Sequence, residues 1–443
     1  MALSERDMGG RHGTCFRPEE GLMEQRIRAR YWIETAFPLA QAAETMAGEQ
    51  STGTFTRVPG ETDELRERHA ARVESIHELD SVSAPSLPGA AVPKNAGSRY
   101  RRAEVEISWP LANLGPSLPN LLATVAGNLW ELKPFSGMRL LDLALPPAFL
   151  ERYCGPQFGV AGTRRLCGVY GRPVIGTIVK PSVGLTPEAT AETAARLAEG
   201  GIDFIKDDEL QADGPHCPFE ARLAAVMRVL REHRERTGKM VMYAANITGE
   251  IDEMLRRHDR VAAAGGTCVM VSIHSIGLPA LVALRRHATL AIHGHRNGWG
   301  LLGRSPAIGV SFVAWQKLWR LAGIDHVHCN GIANKFCEPD ESVIASARAC
   351  LTPMFDLPGK GCEILPVFSS GQTARQAPAT YAALGSTDLI FAAGGGIMAH
   401  PGGIAAGVQS LHQAWQAAVE GIPLEEHAAA HPELRAALDR FQG

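Results

Sequence analysis

From Pro173 onward, short apolar runs alternate with amphipathic stretches. The runs are VIGTIVK (174–180), FIKDDE (204–209), MVMYAAN (240–246), CVMVSIH (268–274), TLAIHGH (289–295), DHVHCN (325–330), EILPVFSS (363–370) and LIFAAGGG (389–396). They are rich in β-branched residues and apolar on both faces, which predicts strands buried on both sides. Between them Pro187 to Glu199, Glu220 to Arg236, Ile251 to Ala264 and Pro339 to Cys350 carry a helical period. Eight such strands alternating with helices over about 270 residues predict an α/β fold, a (β/α)8 TIM barrel. A doubly wound open sheet is the competing arrangement, because a count of strands does not establish closure. Polar residues close nearly every run: Lys180, Lys206, Asp208, Glu209, Asn246, His274, His295, Arg296, His328, Asn330, Ser369, Ser370 and the glycines 394–396. In a barrel these ends meet at one mouth, where such folds do chemistry, so the barrel and an enzyme are favoured together.

Before about residue 155 the pattern is irregular. Ile27 to Thr35 and Ala103 to Trp109 alternate apolar and polar residues as strands do, and Pro38 to Met46 and Pro119 to Val125 read as helices. Ser81 to Ser98, dominated by Pro, Ser, Gly and Ala, reads as a loop or linker. The expected division is a small N-terminal α+β domain over 1–155 and a barrel over 156–443.

Composition narrows the function. The 443 residues hold 44 Lys+Arg against 47 Asp+Glu, for a net charge of -3, and 45% are hydrophobic. That supports a sizeable core and offers no electrostatic handle for nucleic acid or an anionic membrane. No apolar run is long enough to span a bilayer, and the polar N-terminus lacks the apolar stretch of a secretory signal. Nine cysteines without CxxC spacing read as reduced thiols of a cytoplasmic protein.

The chemistry concentrates at Lys206-Asp207-Asp208-Glu209. In extended backbone Lys206 and Asp208 share a face while Asp207 points away. Asp208 and Glu209 are hard oxygen donors suited to Mg²⁺, although a charge run after a strand is often only solvated. A deprotonated Lys206 would react with CO2 to form a carbamate, a third oxygen ligand. Lys180 reads either as a snorkelling lysine or as a general base tuned by nearby cations. Gly394-Gly395-Gly396 presents backbone N–H groups to a phosphate. His293, His295 and His328 do not meet zinc spacing; with Arg296 they suit an anion better.

These segments resemble the ribulose-bisphosphate carboxylase large-chain family, and specifically its RuBisCO-like branch. GEQSTGTF (48–55) is similar to the family's E-S-S-T-G-T-W, and AGNLW (126–130) to its G-N segment. The resemblance therefore implies substrate contacts at Glu49, Thr54, Phe55 and Asn128. GTIVKP places Lys180 at the catalytic base, and GGIDFIKDDE implies carbamylated Lys206 with Asp208 and Glu209 around Mg²⁺. HGHR carries over His295 and Arg296. DHVHCNGIANKF resembles the mobile sixth loop, with His328 at a phosphate contact and Lys335 at the loop tip. LPVFSSG and AAGGGIMAHPGG match two phosphate-gripping segments, giving Ser369, Gly371, Gly394 and Gly395. The resemblance also implies a homodimer or higher homo-oligomer, with Glu49, Thr54 and Asn128 reaching the partner's barrel.

The chain also departs from the family. K-P-K-x-G-L reads KPSVGL, so the second lysine is Ser182; Trp299 stands where the family has a histidine; and the loop lacks G-K-L-E-G and reads NKFCEP. Carboxylation of ribulose bisphosphate is therefore not expected. The surviving groups imply stabilisation of an enediolate beside Mg²⁺ and a phosphate. The branch suggests decarboxylation of 3-oxo-isoapionate 4-phosphate first, its transcarboxylation with hydrolysis second, and enolisation or isomerisation of a methylthio-sugar phosphate third. A non-catalytic member is the reading of a different class.

Overall fold

The computed structural model describes residues 25–53, 58–94 and 99–442. Eight parallel strands close into a barrel: Val174–Ile178, Phe204–Lys206, Met242–Asn246, Cys268–Ser272, Ala291–His295, His326–His328, Leu365–Phe368 and Ile390–Ala392. The eighth pairs with the first, Ile390 opposite Val174 and Ala392 opposite Gly176, so the open-sheet alternative falls. Each strand is shorter than its apolar run. Some polar ends close the strands, as Lys206, Asn246, His295 and His328 do, and others, such as Lys180, Asp208, Glu209, Arg296 and Ser369, lie in the turns just beyond.

Two packed layers explain why the runs are apolar on both faces. Phe204, Met242, Ala244, Met270, Ala291, Val367 and Ile390 fill the barrel with Cys268 and Ala392. Ile175, Ile205, Tyr243, Val269, Ile292 and Phe391 point outward into the core under the helices. Local chemistry starts and stops those helices. Thr186 caps Pro187–Glu199 by accepting from Ala189 N (3.2 Å), with Pro187 supplying a preset first turn. Glu250 and Glu253 form a capping box at the head of Ile251–Ala263. Phe219–Thr237 ends at Gly238, whose φ of 77° favours glycine.

The N-terminal sheet holds Arg26–Thr35, Arg72–Val82, Tyr100–Pro110 and Phe135–Ala144, with Arg26–Thr35 antiparallel to both Tyr100–Pro110 and Phe135–Ala144. The helices Leu39–Glu49 and Leu118–Val125 match the expected helical stretches. Part of the expected linker is strand: Arg72–Val82 runs into it, and irregular backbone follows to residue 94. A fifth strand, Ile308–Val310, comes from the chain after the fifth barrel strand and pairs in parallel with Phe135–Ala144. Ser311 N donates to Leu140 O (2.7 Å), Met138 N to Ala307 O (2.8 Å), and Lys317 Nζ to Asp142 Oδ1 (2.6 Å), fastening the sheet to the barrel.

Among the described residues the eight cysteines are all free thiols, and no helix is long and apolar enough to cross a membrane.

Candidate active site

The turn after the second strand is the anchor. Asp207 points away from the mouth, as extended geometry requires. It accepts from Tyr243 Oη (2.6 Å), Asn246 N (2.9 Å) and Arg222 Nε (3.2 Å), all buried. Asn246 Nδ2 donates to the carbonyls of Asp208 (3.2 Å) and Glu209 (3.3 Å). The charge run is thus a braced turn, and Asp207, which carries no chemistry in the sequence reading, is what fixes it. That role depends on partners 15 to 39 residues away, so no local pattern announces it.

Lys206 is 0% exposed. Its Nζ donates to Asp207 O (2.7 Å) and lies 3.3 Å from Glu209 Oε2. Burial lowers its proton affinity more than Glu209 and Asp208 raise it, so the amine sits below the ordinary lysine range. Lys180 Nζ donates to Asp208 Oδ2 (2.7 Å) and Ser182 Oγ (2.9 Å). Its nearest charged partner is therefore a carboxylate, which corrects the expectation of cations around it. Ser182, at the position of the missing lysine, is a ligand to the lysine that remains.

His295 Nε2 lies 3.4 Å from Glu209 Oε2, and its Nδ1 accepts from Asn297 N (3.2 Å). Nδ1 also lies 3.3 Å from Asn297 Oδ1, so Asn297 fixes the ring and turns Nε2 toward Glu209. Burial, reinforced by Lys206, holds His295 well below the ordinary imidazole range, so it is neutral at pH 7. Glu209 is pushed up by burial but held well below the usual carboxylate range by His295 and Lys206.

His328 Nδ1 lies 2.8 Å from Ser369 Oγ, and its Nε2 lies 2.9 Å from Nε2 of His293. Both rings are kept neutral chiefly by burial. His293 is 0% exposed and sits beneath His328, so it supports that ring rather than offering a donor to a ligand. His274 stacks on Trp299 (ring centroids 6.1 Å apart), and both its ring nitrogens are engaged. It begins a helix, bonds Asn297 O through Nδ1 (2.9 Å), and accepts from Trp315 Nε1 (3.0 Å).

Arg296 is 4% exposed, with its guanidinium 4.3 Å above the Phe312 ring and 5.8 Å from Trp299. Trp299, at the position of the family's histidine, is thus part of an aromatic clamp on this arginine. Arg296 Nη2 donates to Glu338 Oε2 at the foot of the sixth loop, and its Nη1 is buried without a partner among the described residues. Lys335, at the tip of that loop, is exposed; its backbone N donates to Ser370 O (3.1 Å).

Gly371 (φ 93°) lies against the same loop: a Cβ there would stand 3.5 Å from Lys335 Cβ. A Cβ on Gly394 would stand 3.7 Å from Lys180 Cε, while Gly395 opens on free space. Lys180, Lys206, Asp208, Glu209, His295, Arg296, His328, Ser369, Gly371, Gly394 and Gly395, with the Lys335 loop, are therefore set at the barrel's C-terminal end. Glu49 and Asn128 lie in the N-terminal domain, joined by Asn128 Nδ2 donating to Glu49 Oε1 (3.2 Å). Thr54 and Phe55 fall outside the described residues.

Residues 159–441 match the family described as Ribulose bisphosphate carboxylase large chain, catalytic domain, and residues 24–149 match its N-terminal domain. The chain belongs to the ribulose bisphosphate carboxylase large-chain family. Within it, the chain is 57% identical over 416 residues to a 3-oxo-isoapionate-4-phosphate transcarboxylase/hydrolase of Xanthobacter autotrophicus, covering 94% of this chain and 99% of that one. It is 48% identical to a 3-oxo-isoapionate-4-phosphate decarboxylase of Rhizobium etli, covering 94% and 98%. The crystal structure of a rubisco-like protein from Burkholderia fungorum superposes with a TM-score of 0.87 at 47% identity, covering 94% of this chain and all of that one. A dimeric archaeal Rubisco from Hyperthermus butylicus superposes with a TM-score of 0.80 at 31% identity, covering 96% and 97%.

Proposed function

We propose that this protein is a Mg²⁺-dependent carbon–carbon-cleaving enzyme acting on 3-oxo-isoapionate 4-phosphate or a closely similar branched β-keto sugar-acid phosphate. The observation that carries the reading is the buried Lys206 amine beside Asp208 and Glu209. A cation on a lysine costs free energy in such a place, and a neutral amine is the form that takes up CO2. The donor set fits the metal: a carbamate on Lys206 with the two carboxylates would give three oxygen ligands of the kind Mg²⁺ prefers. Mg²⁺ held there would act as a Lewis acid toward the substrate's carboxylate and ketone oxygens.

The chain's own groups do the rest. Lys180, beside Asp208 and the glycine segment, moves a proton to or from the carbon that becomes electron-rich when the carbon–carbon bond breaks. His295, held by Asn297 through Nδ1, stands beside Glu209 and helps to keep its carboxylate in place. Ser369, Gly371, Gly394 and Gly395 hold the phosphate, and Lys335 closes over the site with its loop. Glu49 and Asn128 of a second subunit complete the site, so the working unit is a homodimer or a larger homo-oligomer in the cytoplasm.

The two named relatives differ in what becomes of the carboxylate. The higher identity to the transcarboxylase/hydrolase puts that outcome ahead of simple decarboxylation, which the motifs alone had placed first. Carbon NMR of the products from protein, Mg²⁺, bicarbonate and 3-oxo-isoapionate 4-phosphate decides. Phosphoglycerate with glycolate means transcarboxylation and hydrolysis; CO2 with a four-carbon ketose phosphate means decarboxylation. Turnover of a methylthio-ribulose phosphate with this β-keto acid left untouched would overturn the proposal.

A further inference from the structure

The sixth loop places its carboxylate one residue later than the family pattern, with Cys337 at the glutamate position. Aligned on Lys335, G-K-L-E-G becomes N-K-F-C-E, so Glu338 replaces a glycine. Its side chain is turned inward and only 12% exposed. Oε2 accepts from Arg296 Nη2 and from Asn330 Nδ2 (2.7 Å), and Oε1 accepts from Ser342 Oγ (2.9 Å).

The surrounding loop is tied as well. Asn334 Nδ2 donates to the carbonyls of Gly331 (3.0 Å) and Glu338 (3.1 Å), and Ala333 N donates to Asp340 Oδ1 (2.8 Å). Asn330, which holds Glu338 from below, sits at φ 63° and is itself engaged by Ser370 Oγ (2.8 Å). Glu338 is therefore a fixed anion, held by Asn330 and Ser342 and seated on a buried guanidinium whose flat face Phe312 covers.

Arg296 follows the fifth strand and Gly394–Gly395 follow the eighth, so the mouth has two separate positions for an anion. At the glycine position Gly395 opens on free space. At the arginine position the protein supplies the anion. A phosphate dianion brought to Arg296 would meet a carboxylate already bonded there, and like charge at that range is a strong element of discrimination.

We propose that Glu338 is a specificity-determining residue: its carboxylate fills the anion position at Arg296, so the site accepts a sugar acid with one phosphate, held on the glycine side, and rejects bisphosphates. This deepens the preceding reading and rests on the barrel mouth being a sugar-phosphate site.

The test is calorimetric titration of the full-length protein, with Mg²⁺ and bicarbonate, using a pentulose 5-phosphate and the matching 1,5-bisphosphate. Wild type should bind the monophosphate at least about tenfold more tightly than the bisphosphate. Glu338→Gln and Glu338→Gly should each tighten the bisphosphate by at least about tenfold while moving the monophosphate by less than about threefold. Adding Arg296→Met to Glu338→Gln should erase the gain, which a merely structural role for Glu338 would not produce. The Gln variant keeps the side chain's size, so a loosened loop in the Gly variant is recognised by comparing the two. Three results overturn the assignment: a wild type that binds the bisphosphate as tightly as the monophosphate, variants that change neither affinity, or variants that tighten both ligands equally. The last would mean that the single phosphate itself competes for Arg296. If folded wild type and variants bind neither ligand, the sugar-phosphate reading falls, and the assignment with it.

Discussion

Lys180 Nζ stands 2.7 Å from Asp208 Oδ2 and joins the end of the first barrel strand to the turn after the second. The lysine neutralises a carboxylate that a divalent cation would claim, and it stays within reach of the glycine segment that begins at Gly394. The proposed function gives both charge balance and proton transfer to this one side chain. Replacing Lys180 by Met is expected to lower kcat by about 10² to 10⁴ while Mg²⁺ affinity changes by less than about threefold. Steady-state kinetics and a Mg²⁺ titration on the same preparation check this. A parallel loss of both would make the lysine a structural group.

Lys206 offers a spectroscopic test. With 13C-bicarbonate, the wild-type protein should give a carbamate carbon signal that strengthens with Mg²⁺, and Lys206→Met should give none and show no turnover. Because burial holds the amine below the ordinary lysine range, the neutral form is the more populated at a given pH than in an exposed lysine. At fixed dissolved CO2 the activation rate should therefore rise with pH and level off once the amine is fully deprotonated. A rate that is flat across pH 6 to 9, or a signal that survives in Lys206→Met, would count against the carbamate.

Glu49 meets Asn128 inside the N-terminal domain, whereas Lys206 lies in the barrel. If one subunit's pair serves another's mouth, inactive Glu49→Ala and inactive Lys206→Ala chains should regain about a quarter of wild-type activity when co-assembled one to one. No recovery in verified heterodimers would mean that each site is built from a single chain.

A stability prediction concerns Asp203, at the opposite end of the second strand. Arg172 binds it through Nη1 (2.5 Å) and Nη2 (3.0 Å), Lys239 Nζ donates at 2.6 Å, and Ile175 N at 2.9 Å. Burial pushes its carboxyl up, but these partners outweigh burial and hold it below the usual carboxylate range. A depressed carboxyl contributes stability that is present above its unfolded value, near pH 4, and is lost as pH falls through its folded value. Asp203→Asn should therefore cost about 3 kcal/mol at pH 7, and the deficit against wild type should shrink on acidification below about pH 4. Chemical denaturation at pH 7 and pH 3 measures it; an equal deficit at both would assign the effect to packing.

The barrel was legible because each of its strands is covered on both faces, so runs such as CVMVSIH stand out from their flanks. Arg72–Val82 was not: it is an edge strand with most of its side chains exposed and little alternation to read. Phe135–Ala144 carries an internal glycine, and Ile308–Val310 is three residues around Gly309. The site divides in the same way. Lys180, Lys206, Asp208 and Glu209 lie within a few residues of a strand end and declare themselves by position. Glu338 acts on Arg296 across 42 residues, and Phe312 stands under that arginine only because the intervening chain first visits another sheet. Contacts of that kind have no local pattern.

The Ile308–Val310 strand makes separability a property that this chain lacks. Cut at the domain border, the N-terminal piece would keep four strands and bare the edge of Phe135–Ala144, an invitation to pair with a neighbouring copy. The barrel piece would lose the seat of the segment that leads from Arg296 to Phe312. Each half keeps part of the other's architecture in trust, so a single cooperative melting transition, rather than two, is the expected behaviour of the whole.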